Sequence, residues 1–252
     1  MIGKVIVFLL AGTMFLRADP AADKLTAAGI IEFSGAFQAW DGERFGKAAE
    51  LFRQAEVKTP GSATNPYWRG TALFHRMLQL KSTSDPKAAS AAMDAAVASL
   101  ETAIKLDPEN AESHALLGTL YGMKIDGSIP RAIRYGRVVQ GHQEQALKHG
   151  AGNPRVRYLL GTGQFHTAKD ADGKREALNT LLAAEKLFIA EARQPVKGFQ
   201  PRWGYGSCLT FIARSYEALG QQPEAAAYYR KALAVHPADQ VAREGLARLK
   251  GK

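Results

Sequence analysis

SCLTFIARSYEALGQQPEAAAYYRKALAVHP, Ser207 to Pro237, carries two apolar stripes and a stop after each. Leu209, Ile212, Ala213 and Tyr216 recur at intervals of three and four, so they line one face of a helix. Gly220 ends that helix. Ala225, Tyr229 and Ala232 then line a second, which Pro237 stops because proline lacks the N–H that would continue it. Ala213, Ala225 and Ala232 are small enough for two helix axes to approach closely, and Tyr216 and Tyr229 fill the space between them. The stretch reads as one helix–turn–helix brick.

The same spacing recurs upstream. Ala48, Phe52, Ala55 and Pro60 repeat the intervals of Ala225, Tyr229, Ala232 and Pro237, and Ala103 precedes Pro108 by five positions, as Ala232 precedes Pro237. YWRGTALFH (Tyr67–His75) returns as YLLGTGQFH (Tyr158–His166), both of the form Y-x-x-G-T-x-x-F-H. The 252 residues are 46% hydrophobic, with much alanine and few β-branched runs after the first ten positions. Strand-like alternation is absent, so the chain is expected to be all-α. Helical spacing places helices at 24–41, 44–57, 66–80, 87–106, 111–123, 130–149, 154–166, 174–193, 204–219, 222–235 and 238–250. They group as pairs over 24–60, 66–108, 111–149, 154–193 and 204–237, followed by a last helix over 238–250.

With these spacings the chain resembles tetratricopeptide repeat (TPR) proteins, whose unit is a helix–turn–helix of about 34 residues. The resemblance spans 24–250. It is strongest in the first and last pairs and looser where KSTSDPK, MKIDGSIP and TAKDADGK stretch the turns. It implies a right-handed α-solenoid of about five pairs in a single domain, capped by the C-terminal helix. NPRVRYLLGTGQFHTAKDADGKREAL and QPRWGYGSCLTFIARSYEALG also resemble a group of exported bacterial TPR proteins of unassigned activity, which share a Gly-Lys loop and a Pro-x-Trp-Gly turn.

In such a solenoid the first helix of each pair lines the concave surface. With Gly70, Gly118, Gly161 and Ala213 taken as equivalent close-packing points, Tyr67, Thr71, Phe74 and His75 fall in register with Tyr158, Thr162, Phe165 and His166. The third pair keeps Gly118-Thr119 and loses the Tyr, Phe and His. Two readings stand side by side. In one, these eight residues form a groove for a partner protein or peptide, with aromatic contact area and with Thr and His giving orientation. In the other, the aromatics pack between helix pairs and the Thr hydroxyls bond back to backbone carbonyls. Trp203, in the turn GFQPRWGYG (198–206), either seals the long connection before the last pair or anchors a partner.

Features that suggest catalysis or metal binding thin out on inspection. Asp170-Ala-Asp172-Gly173 lacks the later donors of a calcium loop and reads as a helix cap at Asp172, parallel to Asp85-Pro86-Lys87. His142 and His149 are seven apart with no third ligand at metal spacing, which favours a solvated face. Gly173-Lys174 lacks the rest of a phosphate loop. No catalytic, metal or cofactor site is therefore expected, and the expected role is non-catalytic, with a small-ligand or enzymatic use of the same groove, or an assembly subunit, as alternatives. Cys208, the single cysteine, sits in an apolar helical run and is expected to be packed. Arg131, Arg134, Arg137, Lys148, Arg155 and Arg157 make 130–157 locally basic, either as a wet helix face or as a headgroup or polyanion contact.

Lys4, the twelve-residue apolar run Val5–Leu16 and Ala18 read as an export signal over 1–18, with an uncleaved anchor as the alternative. Twelve residues are too few to span a bilayer, so no stable span is expected after removal, and the expected location is periplasmic or secreted. Loss of Lys4 and Arg17 would take the 33 basic residues to 31 against 24 acidic ones. Those bases are interspersed with acids, which argues against nucleic acid as the partner. Self-association stays open.

Overall fold

The computed structural model describes residues 19–83 and 85–250, which form eleven α-helices and no strand. In order they are α1 (Pro20–Ala39), α2 (Gly42–Lys58), α3 (Thr64–Ser82), α4 (Pro86–Leu106), α5 (Ala111–Ile125), α6 (Ile129–Gly150), α7 (Pro154–Thr167), α8 (Ala171–Ala192), α9 (Tyr205–Ala218), α10 (Gln222–Val235) and α11 (Gln240–Lys250). The all-α helical solenoid is the fold the spacing and the resemblance predict. The expected export signal at 1–18 lies outside the described residues.

Short polar residues set the helix starts. The side chains of Asp19, Asp41, Asp85, Asn110, Asn153 and Asp170 each accept a hydrogen bond from a backbone N–H in the first turn of the helix that follows. Helix α1 begins four residues before its expected start because Asp19 caps it and Pro20 presets the first helical φ. In α8 the cap is Asp170, whose Oδ1 lies 2.8 Å from the Gly173 nitrogen, and not Asp172, which pairs with Arg175 at the surface.

Packing runs between neighbours. Each odd-numbered helix packs on its even partner, and α3, α5, α7 and α9 touch in succession as an inner layer. Close approach is paid for in side-chain size: a Cβ on Gly70 would lie 2.5 Å from Leu100, and one on Gly161 would lie 2.8 Å from Leu181. The third pair departs from this regularity. Helix α6 rests on α5 and barely reaches α7, which packs directly on α5 instead. Of its 22 residues only Ala146 is buried.

The two ends of the solenoid meet. His236, just after α10, stacks on Phe37 of α1 at 4.9 Å between ring centroids and lies 6.2 Å from Trp40. Phe37 in turn is 5.4 Å from His75. A continuous aromatic cluster thus fills the inside of the coil.

Candidate functional site

The inner residues of the second pair are closed off by the chain itself. The connection between α8 and α9 folds back over α3: the Trp68 indole N–H donates to the Phe199 carbonyl at 2.9 Å, and the Trp203 indole N–H donates to the Tyr67 hydroxyl oxygen at 2.9 Å. Arg202 ties down the base of this strap through the carbonyls of Glu191, Gln194 and Pro195. Gly204 leaves the strap at φ 102°, and a Cβ there would meet Phe188 at 3.2 Å, so both conformation and space call for glycine. Trp203 is 4% exposed and sits edge-on to His75 at 5.2 Å. The seal, one of the two roles expected for it, is what the structure shows.

Tyr67, Phe74, Tyr158 and Phe165 are all buried, as are Thr71, His75 and Thr162; only His166 of the eight is exposed. The expected open groove of converging aromatics is therefore corrected. Over Tyr67 and His75 the cover is the strap together with the meeting of the ends, whereas Tyr158 and Phe165 lie against Phe211 of α9, with Lys174 and Arg214 over the Phe165 ring. The hydroxyls of Thr71 and Thr162 donate to the carbonyls of Tyr67 and Leu159 at 2.9 and 2.8 Å, and that of Thr119 to Ala115 at 2.9 Å. Gly-Thr is thus architectural in all three copies.

His75 is 3% exposed and lies among Phe33, Phe37, Phe45, Phe74 and Trp203. Its Nδ1 is 2.8 Å from the Thr71 carbonyl, so Nδ1 carries the proton in the neutral ring. Burial pushes its pKa down to about 4. The imidazole is a packed, neutral ring.

Beneath the strap lies a charged network without a sequence signature. Glu112 accepts from the Tyr67 hydroxyl, from Asn153 Nδ2 at 2.7 Å and from Arg155 Nε at 2.7 Å. Arg155, 3% exposed, reaches Glu191 with its other end, NH1 to Oε2 at 3.0 Å. Burial alone would lower the guanidinium pKa, but Glu112 and Glu191 hold it up. These groups border two adjoining shallow hollows of about 610 and 480 Å³ that share Ala111, His149 and Asn153. The buried charges of Glu112, Arg155 and Glu191 answer one another, so this network serves to hold α5, α7 and α8 together.

The fourth and fifth pairs differ. The Lys174 ammonium lies 3.9 Å from the Phe165 ring centroid and donates to the Phe165 carbonyl; the Arg214 guanidinium lies 4.9 Å from Phe165 and 4.8 Å from Phe211. The His166 ring sits 5.5 Å from both Phe165 and Phe211. Among the described residues no salt bridge joins Lys174, Arg214 or His166 to a carboxylate. Burial, then mutual repulsion with its neighbours, lowers the pKa of His166 and of Lys174, and burial lowers that of Arg214. Positive charge is concentrated here on an aromatic floor, and the Glu217 carboxylate that acts on Arg214 is itself held by Tyr229 and Arg248.

Elsewhere the chemistry is structural. His142 is not on a solvated face: its Nδ1 is 3.0 Å from Nδ1 of His114, whose Nε2 faces the Pro108 carbonyl at 3.0 Å. Nε2–H of His114 donates to that carbonyl, so its Nδ1 accepts from His142. The Cys208 thiol is buried and burial pushes its pKa up, so it is packed. Among the described residues no group of three His, Cys, Asp or Glu could hold a metal ion, and no helix is long and apolar enough to cross a membrane.

Comparison with known proteins gives the fold and a family. TTC0263, a thermophilic TPR protein of Thermus thermophilus, superposes with a TM-score of 0.64 at 17% identity over 92% of this chain and 100% of that one. At that identity the likeness speaks for the fold alone. MamA aligns at TM-score 0.40 and 18% identity over 71% of this chain and 80% of that one, and PilF of Pseudomonas aeruginosa at 0.34 and 16% over 90% and 99%. No curated protein matches the sequence. The family described as RMD1-3, regulator of microtubule dynamics protein 1-3, matches residues 34–251, and with that span the chain belongs to this family.

Proposed function

We propose that the protein is a non-catalytic interaction scaffold that binds an acidic, extended protein segment at the mouth between α7 and α9. The observation that carries this reading is the set of three cationic or protonatable side chains, Lys174, Arg214 and His166, gathered over Phe165 and Phe211. A carboxylate arriving there meets charge-assisted donors in a partly desolvated setting, while the half-buried Phe211 ring beside them supplies contact area. Of the eight residues expected to contact a partner, Phe165 and His166 belong to this mouth. The family is described by regulation of microtubule dynamics, and contact with a protein partner is the part of that description which this geometry supports. The apolar run at 5–16 supports placing the scaffold outside the cytoplasm as an exported protein.

A positional-scanning library of hexapeptides tests the reading. The wild-type chain is expected to select Asp and Glu over Lys and Arg, and Lys174→Gln/Arg214→Gln is expected to lose that selection while keeping its helical circular dichroism. Equal selection by both chains overturns it.

A further inference from the structure

Helix α6 carries a feature that neither the solenoid core nor the cation mouth uses. Ile129 and Ile133, one turn apart on one stripe, are 74% and 79% exposed, and Val138 is exposed as well. They stand at the tip of the α5–α6 hairpin, on the outer helix that packs on α5 and hardly reaches α7. Arg137 continues the Ile129–Ile133 stripe by another turn, Arg134 lies over the Tyr135 ring at 5.2 Å, and Arg131 reaches back to the Lys124 carbonyl at 3.3 Å. From Gly127 to Gln143 the sequence holds three arginines and no acidic residue. Asp126, at the turn, is the acid next to the tip, and the nearby Asp94 pairs with Lys124 at 2.8 Å.

We infer that this tip is a membrane-docking element for an anionic bilayer surface: Ile129 and Ile133 insert among the headgroups while Arg131, Arg134 and Arg137 lie against lipid phosphates. Charge complementarity singles out this occupant. A positive apolar tip fits an interface that is negative outside and apolar beneath. The shape agrees, because two isoleucines on a projecting helix end offer no concavity to seat a side chain and far less area than the roughly 800 Å² a side of a stable protein interface. The inference is independent of the acidic-segment mouth, since α6 shares no residue with it.

The test is co-sedimentation of the full chain with vesicles of phosphatidylcholine, with or without 30% phosphatidylglycerol. Arg131→Gln/Arg134→Gln/Arg137→Gln and Ile129→Ser/Ile133→Ser are compared with wild type. These side chains are exposed, so both variants are expected to keep the wild-type circular dichroism and melting temperature. Each arginine at an anionic surface is worth about a fivefold change in partitioning, so the triple variant is expected to bind the anionic vesicles on the order of a hundredfold more weakly. The isoleucine variant is expected to bind them at least tenfold more weakly, and wild-type binding is expected to fall in high salt. Equal binding to neutral and anionic vesicles, or variants that bind like wild type, overturns the inference. So does a dimer that only the isoleucine variant dissolves, which would make the tip a contact between copies of this chain.

Discussion

Replacing Trp203 probes the strap that closes the inner face. The indole is 4% exposed, touches His75 edge-on and donates to the Tyr67 hydroxyl. A buried tryptophan removes about 150–250 Å² from water, worth roughly 4–6 kcal/mol at about 25 cal/mol per Å². Large-to-small truncations in cores cost about 3–5 kcal/mol after relaxation. Trp203→Ala is therefore expected to lower the unfolding free energy by about 3–5 kcal/mol, a large part of the roughly 5–15 kcal/mol typical of a domain. Trp203→Phe keeps a ring against His75 and deletes only the N–H, so it is expected to cost about 1–2 kcal/mol. Urea denaturation followed by far-ultraviolet circular dichroism reads both values. Because the strap ties the fourth and fifth pairs back to the second, its loss should also speed amide exchange in 194–203 and at the inner ends of α3 and α7, which a solenoid with only neighbour contacts would not show. A Trp203→Ala cost below about 1 kcal/mol, with exchange unchanged in α3, would refute the reasoning.

Two further outcomes follow from the geometry. Gly70→Ala puts a methyl 2.5 Å from Leu100 and should destabilise by about 1–3 kcal/mol in a thermal melt, whereas Gly118→Ala meets Gln143 and His142 only at 3.6 Å and should gain up to about 1 kcal/mol from helix propensity. The pH dependence has a definite sign. Burial lowers the folded pKa of His75 from 6.5 to about 4 and lowers that of His236 as well, so the unfolded chain binds more protons between those values and stability falls as pH drops from 6.5 to 4. The His75 share is about 3 kcal/mol below pH 4, and His75→Phe should flatten the urea-midpoint profile over that window.

Much of the architecture can be read in the residues. Small-large spacing in 207–237 and its echo at 48–60 identify the helix pairs, because close axial approach demands alanine or glycine at fixed intervals and proline ends each unit. Gly70 and Gly161 show the rule in its strict form, each facing a leucine of its outer helix. Of the two readings of the inner face, the packed one is what the structure shows, but local pattern could not decide between them. Periodicity assigns Tyr67 and Phe74 to the inner side of α3, yet whether that side meets solvent depends on a strap returning from 199–203 and on His236 reaching Phe37, contacts between positions far apart that no local pattern encodes. Glu112 and Arg155 were hidden for the same reason: each stands in the first turn of its helix, where charged residues are ordinarily wet. His142 was misread because its partner, His114, lies on the other helix of the pair. Trp203 was legible as a residue of consequence, because an indole between Pro201 and Gly204 in the connection 193–204 must either seal or anchor, but which of the two it does depends on Tyr67 and His75, far away in the sequence.

The most direct test of where a partner binds is the pattern of amide and side-chain chemical-shift changes when an acidic hexapeptide selected from the library is titrated into the isotope-labelled chain. The account predicts changes centred on Phe165, His166, Lys174 and Arg214, with Tyr67, Phe74 and His75 silent beneath the strap. Changes centred on Tyr67, Phe74 and His75 would contradict it and return the site to the inner face of the second pair.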